Sequence, residues 1–263
     1  MAELLYEDLT YQIKGAYFKV FRSLPHHYPE LFYEKAMYYE LEQRGLRCWY
    51  QKEYSIFYEE KMVGKHVLDA VVEDKIVLEY KVAEALLPLH KAQLISYLKV
   101  SGHKLGFLMN FGDREPQDER VINIIPETVS EDELAETSIR QDVLYPDLSL
   151  KMIRALQRVF QTLGTGYVYR VYSNAFYYEL QRQDVAFVPE EKIEVCYEDR
   201  SIGQLTFHHF VVEEKLAVFT TTINEMSDMD AEMLKQWMKH KGIRLGIVAN
   251  FQGMRLGLSF LRV

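Results

Sequence analysis

Cysteine is scarce in this 263-residue chain: Cys48 and Cys196 are too few for a disulfide scaffold or a thiolate zinc site. Both are expected as buried small apolar side chains in a reducing compartment. Long apolar runs are missing too, with no stretch near the roughly 18 residues that a membrane span requires. The N-terminal MAELLYEDLTYQIKG has acids where a secretion signal needs a basic region. These absences predict a soluble, cytoplasmic protein with no membrane partner. Glycine and proline number only 13 and 7, and 48% of residues are hydrophobic against 27% charged. That balance excludes a collagen-like or extensively disordered chain and supports one large or two moderate cores.

A surplus of positive charge is also lacking, since the formal net charge is -8. Its distribution matters more than its sum. Residues 1–125 carry net -3, residues 126–149 carry -6, and residues 150–263 carry +1. The acidity is concentrated in the middle, and the flanking lobes are near neutral. Local basic grooves are permitted, but no charge footprint announces nucleic-acid binding.

What the chain does contain is an internal repeat. EKAMYYEL at 34–41 matches SNAFYYEL at 173–180, VVEDKIVL at 71–78 matches VVEEKLAV at 211–218, and GHKLGFLMNF at 102–111 matches GIRLGIVANF at 242–251. The offset is 139 in the first match and 140 in the other two, so a single inserted residue reconciles them. Duplication follows, with domains at 1–125 and 150–263 joined by an acidic linker at 126–149. Within that linker EDELAE is expected to form a short helix.

Each copy shows the same order of elements. A helix comes first, with Leu150, Ile153, Leu156 and Phe160 giving the apolar stripe in the second copy. A second helix covers Glu30 to Gln43 in the first copy, stopped by Gly45. Strands follow near Cys48 to Phe57, Lys65 to Val72 and Ile76 to Tyr80. A helix then starts after Pro88, and a strand covers Leu105 to Phe111. This order predicts an α/β fold with a mixed central sheet flanked by helices.

The chemistry-bearing stretch is KHVLDAVVEDKIVLEYK, residues 65–81, two apolar strands around a polar turn. With a three-residue turn Val72 pairs with Ile76 and Asp69 falls opposite Glu79; with a two-residue turn Glu79 is a diagonal neighbour. Lys81 shares the face of Glu79. Carboxylates side by side on apolar strands repel unless a cation lies between them. A divalent ion such as Mg²⁺, or Mn²⁺, suits two carboxylates and a backbone carbonyl, that of Tyr80, and Lys81 would orient or deprotonate a water. The alternative is a plain salt bridge from Lys81 to Asp69 or Glu79.

Asp69 followed by Glu79, Tyr80 and Lys81 resembles the PD-(D/E)XK nuclease signature, with Leu68 in place of its proline. More narrowly, the first copy resembles the GxxExxY family of that superfamily: residues 27–33 keep Glu30 and Tyr33, and His27 replaces the glycine. This resemblance implies a restriction-endonuclease-like fold in tandem, and an approach of Glu30 to the metal. Gln93 and Tyr97 resemble the Q-x-x-x-Y element of RecB-type nucleases and share one helix face. His90 lies on that face as well.

In the second copy these positions read His209 for Asp69, Phe219 for Glu79, Thr221 for Lys81, Tyr169 for Glu30 and Met233 for Gln93, while Gly166 restores the motif glycine. Five polar positions are lost together, as one functional unit would be. The adjacent His208 and His209 have no evident acidic partner for a replacement metal site. The expected activity is Mg²⁺-dependent hydrolysis of nucleic-acid phosphodiesters, DNA before RNA, by the first copy. The second copy would serve as scaffold in an intramolecular pseudo-dimer. The competing expectation is a non-catalytic binding or regulatory protein with a protein partner.

Overall fold

The computed structural model describes residues 5–123, 144–197, 200–223 and 226–263. The chain forms two compact units, Met1–Ile56 with Lys65–Pro126, and Phe57–Gly64 with Glu127–Val263. The segment in which EDELAE was expected to be helical lies outside the described residues.

The first copy runs α1 (Glu7–Ser23), α2 (Glu30–Gln43), β1 (Cys48–Tyr58), β2 (Lys61–Val72), β3 (Ile76–Lys81), α3 (Pro88–Ser101), β4 (Leu105–Asn110) and β5 (Gln117–Ile122). The strands form one five-stranded sheet in the order β1-β2-β3-β4-β5. The pair β3/β4 is parallel, with α3 as its crossover, and β2/β3 and β4/β5 are antiparallel. Both faces of the central strands are covered. Ala70, Val72, Leu78, Tyr80 and Phe107 pack with α1 and α2 through Ile13, Tyr17, Met37 and Leu41. Val71, Val77 and Leu108 pack with Leu94 and Leu98 of α3. Two-sided burial explains why β3 and β4 read as nearly unbroken apolar runs.

The second copy repeats this plan with α4 (Pro146–Leu163), α5 (Tyr169–Arg182), β6 (Phe187–Tyr197), β7 (Arg200–Val212), β8 (Leu216–Thr221), α6 (Asp228–Lys241), β9 (Leu245–Asn250) and β10 (Gly257–Arg262). Its sheet order is β10-β9-β8-β7-β6, again with one parallel pair, β8/β9. The two copies are thus α/β units, each a mixed five-stranded sheet flanked by helices. Helix α4 starts at Pro146, four residues before the stripe that begins at Leu150.

Two differences from the sequence reading have physical causes. The fifth strand of the first copy, QDERVI, carries almost no apolar pattern, because only Val121 of its six residues is buried at this sheet edge. The loop before α2 explains the motif glycine. His27 takes a left-handed φ of 71°, and Gly166 at the matching place has φ 103°. The conformation is kept in both copies although the residue differs. The tyrosine ending the motif clamps this loop. Tyr33 Oη donates to Pro25 O at 2.5 Å and accepts from Tyr28 N at 3.2 Å. Tyr172 Oη does the same with Gly164 O and Tyr167 N, at 2.9 and 3.2 Å.

At the far end of β3 the chain is fixed by Asn110. Its side chain donates to Ala83 O at 2.8 Å and accepts from Ala83 N and Gly112 N, both at 3.0 Å. A Cβ on Gly112 would lie 2.4 Å from Ala83 N, so the close approach that anchors the strand carrying Lys81 requires glycine.

A non-glycine residue in left-handed backbone costs about 1 kcal/mol. His27→Gly should therefore raise the stability of the protein by up to about 1 kcal/mol, net of the unfolded-state entropy that glycine adds. Gly166→His should lower it. Chemical unfolding of the two variants beside the parent protein measures both.

Candidate metal and active site

The β2/β3 hairpin has the three-residue turn, with Val72 paired to Ile76, Val71 to Val77 and Ala70 to Leu78. The regular ladder ends there. One residue further, the Asp69 carboxylate takes over as hydrogen-bond acceptor, with Oδ2 receiving Tyr80 N–H at 2.9 Å. Leu68 and Val71, three residues apart, both join the α3-side core, so strict two-residue alternation does not hold across Asp69.

Helix α2 brings two more carboxylates to this point. Glu30 and Glu34 stand four apart on one helix face, and one oxygen from each lies within 4.8 Å of the other and of an Asp69 oxygen. Glu34 was not among the residues expected from the sequence. Its spacing from Glu30 was the available signal, and its counterpart in the second copy is Ser173.

Glu79 lies in the floor of the cluster, 1% exposed. Its Oε1 takes the Lys81 ammonium at 2.5 Å, and its buried Oε2 has no hydrogen-bond partner among the described residues. Lys81 also stands 3.8 Å from Glu30 Oε1. The Lys81 ammonium thus faces Glu79, Glu30 and Asp69, while Glu34 Oε2 accepts from Gln51 Nε2 at 3.3 Å. Burial, then the neighbouring Asp69, push the Glu79 carboxyl well above the usual carboxylate range, with Lys81 opposing. Burial pushes Asp69 up to about 6 against the pull of Tyr80 N–H and Lys81, and Glu34 and Glu30 add to the rise. Glu30 is raised by burial, opposed by Lys81 and assisted by Glu34. Burial alone would lower the Lys81 pKa, but the charges of Glu79, Glu30 and Asp69 outweigh it and hold the ammonium above its ordinary range.

These groups fit a hard divalent cation. The donors are all oxygens, one is a buried carboxylate oxygen with an unused valence, and the net charge is negative. The Tyr80 side chain is fully buried in the core on the α1 and α2 side, so only its backbone is left to serve the site.

Helix α3 presents Gln93 and Tyr97 as expected for one face: Gln93 Nε2 donates to Tyr97 Oη at 2.5 Å. Burial, then the negative charge of Glu79 and more weakly those of Asp69 and Glu30, raise the Tyr97 hydroxyl's pKa against the Gln93 hydrogen bond. The His66 ring meets Tyr97 edge-on at 4.5 Å. His90 instead caps its helix, with Nδ1 accepting from Leu87 N at 3.2 Å.

In the second copy the position of Asp69 holds His209, buried against Phe219 and edge-on to Trp237 at 4.4 Å. The ladder confirms the register there, with His209 paired to Phe219. The sequence showed no acidic partner for His209, but the structure supplies one. Glu190, which is 19 residues away and adjacent only through strand pairing, has Oε2 at 3.3 Å from Nε2. Lys241 also bonds Glu190, at 3.2 Å, so this acid already has a cation.

A carboxyl with a raised folded pKa favours the folded state below its unfolded value, and that favour is lost as pH rises through the folded pKa. For Asp69 the window runs from 3.8 to about 6. In chelator-treated protein, Asp69→Asn should therefore be more stable than the parent at pH 7, with a smaller gain at pH 4.5. Asparagine keeps the acceptor for Tyr80 N–H, so thermal unfolding at the two pH values isolates the charge.

Among the described residues, no helix is long and apolar enough to cross a membrane. No curated protein and no solved structure matches the chain. The PD-(D/E)XK nuclease superfamily model matches it twice, over residues 7–122 and 146–263. Those two stretches contain the two repeated sheets and the acidic hairpin. The chain therefore belongs to the PD-(D/E)XK nuclease superfamily, as two tandem copies.

Proposed function

We propose that the first copy is a metal-dependent nuclease that hydrolyses phosphodiester bonds of nucleic acid, with DNA preferred to RNA, and that the second copy has no active site. Membership of a nuclease superfamily supports nucleic acid as the substrate class. The observation that carries the reading is the gathering of Glu30, Glu34 and Asp69 within 4.8 Å, beside the buried Glu79 and its Lys81. Closer membership of the GxxExxY family and a cytoplasmic location complete the proposal.

Asp69, Glu79 and the Tyr80 carbonyl would hold Mg²⁺ or Mn²⁺, with Glu30 and Glu34 as further oxygen donors. When bound, such an ion supplies Lewis acidity toward a phosphoryl oxygen and acidifies a water. Asp69 is oriented for its part by Tyr80 N–H. Lys81, strongly paired and held as an ammonium, supplies positive charge and hydrogen bonds that orient the attacking water or the phosphate. Gln93 and Tyr97, bonded to one another, would position the substrate from α3.

Single- and double-stranded DNA and RNA, incubated with the protein and Mg²⁺ or Mn²⁺, test this directly. Cleavage should vanish with chelator and with Asp69→Ala, and should fall on the order of 10²-fold or more with Lys81→Ala. Thr221→Val, at the matching position of the second copy, should leave the rate unchanged. Equal rates in parent, Asp69→Ala and Lys81→Ala would refute catalysis by this site. No cleavage of any substrate, with retained partner binding, would favour the non-catalytic reading.

A further inference from the structure

The turn between β1 and β2 belongs to the second compact unit, where it is buried. Tyr58 and Val63 are each 1% exposed. Tyr58 Oη donates at 2.8 Å to Glu179 Oε2, a carboxylate of α5 with no solvent exposure that also takes Arg158 at 3.0 Å and Gln183 Nε2 at 2.8 Å. Asn174 Nδ2 donates to Val63 O at 2.8 Å, and the Lys61 ammonium lies 6.0 Å from the centre of the Tyr178 ring. The turn acts as a plug, and the surface of α4 and α5 as its socket.

The repeat duplicates both parts. At the offset of 139, Tyr58 becomes Tyr197, Lys61 becomes Arg200 and Val63 becomes Ile202. On the socket side Glu179 becomes Glu40, Arg158 becomes Lys19, Gln183 becomes Arg44 and Tyr178 becomes Tyr39. The second socket is already assembled in the first unit. Glu40 is buried, with Lys19 Nζ at 2.6 Å and Arg44 Nε at 2.9 Å, in the same places as Arg158 and Gln183 around Glu179. Among the described residues, no tyrosine hydroxyl bonds it. The matching plug carries that hydroxyl into solvent, since Tyr197 is 68% and Ile202 67% exposed, and Leu205 beside them is exposed as well. Tyr39, the ring that matches Tyr178, is exposed too.

Among the described residues, one contact of this design is filled, and a matching plug and a matching socket carry no such contact. We infer that the unused pair joins two copies of this chain. Tyr197, Arg200 and Ile202, from the facing ends of β6 and β7 of one molecule, dock on the α1–α2 surface of another, with the Tyr197 hydroxyl donating to Glu40 and Arg200 over the Tyr39 ring. Three matches favour a second copy as the occupant: a tyrosine hydroxyl for a buried carboxylate, a cation for an aromatic face, and apolar side chains that are covered in the filled contact. The contact uses different surfaces on the two molecules, so it closes when two chains exchange plugs reciprocally or extends when they do not.

Sedimentation velocity and light scattering on the full chain over a range of micromolar concentrations read the association. The parent should show species of two or more chains that dissociate on dilution. Tyr197→Ala removes the plug and Tyr39→Asp blocks the socket; each should weaken association at least about tenfold, as expected for an aromatic anchor. Both positions are exposed, and unchanged circular dichroism and thermal unfolding establish that folding is intact. Mixing the two variants should restore a pair, because each supplies the part that the other lacks. A parent chain that is monomeric at every concentration would overturn the inference, as would association that neither substitution weakens, or variants whose mixture stays monomeric.

Discussion

The repulsion among four carboxylates around one lysine is the constraint on which the first copy's organisation depends. Asp69, Glu79, Glu30 and Glu34 converge where the surrounding sheet is apolar, and Lys81 pairs with Glu79 and stands near Glu30. Such a cluster costs folding stability, and the rest of the copy holds it in place. The Asp69 carboxylate is fixed by Tyr80 N–H, β3 is tied at its end by Asn110 and Gly112, and α2 is started by the Tyr33 clamp. Natural proteins keep such local conflicts, in an otherwise well-packed fold, mainly at candidate functional sites.

The second copy acts as an internal control for these assignments. What both copies keep is structural. Tyr33 and Tyr172 clamp the same loop, and each stacks on a phenylalanine, Phe111 at 4.6 Å and Phe251 at 4.2 Å. Asn110 and Asn250 tie the same strand end to the segment that follows the preceding parallel strand. What the second copy has lost is the acidic group, and apolar or aromatic contacts fill the space: His209 packs against Phe219 and Trp237, where Asp69, Glu79 and Tyr97 stand in the first copy. The kept residues explain the fold, and the lost ones mark the candidate chemistry.

Much of this was legible in the sequence, for identifiable reasons. The repeat, the start and stop of α2, the β2/β3 hairpin and the helix and strand order of a mixed sheet rest on local periodicity or on turn residues, which one strand or helix carries by itself, whereas the length of the hairpin turn stayed open between two and three residues and the parallel β3/β4 pairing needed the structure. Strand β5 was missed because an edge strand with one buried residue has no such pattern. Glu34 lies outside the motif that carries the resemblance, and only its i, i+4 spacing from Glu30 signals it in the sequence. The Glu190 partner of His209 was beyond reach, since only strand pairing joins them. The demand for left-handed backbone at residue 27 was hidden as well, because histidine occupies a place that glycine fills in the second copy.

The central claim is that the acid cluster of the first copy is a cation site and that the second copy has none. Anomalous diffraction from crystals soaked in Mn²⁺ tests it most directly. The account predicts one strong anomalous peak between Asp69 and its neighbouring carboxylates, with Lys81 drawn away from Glu79, and no peak at His209. A Lys81–Glu79 pair unchanged at saturating Mn²⁺, with no peak in either copy, would contradict it.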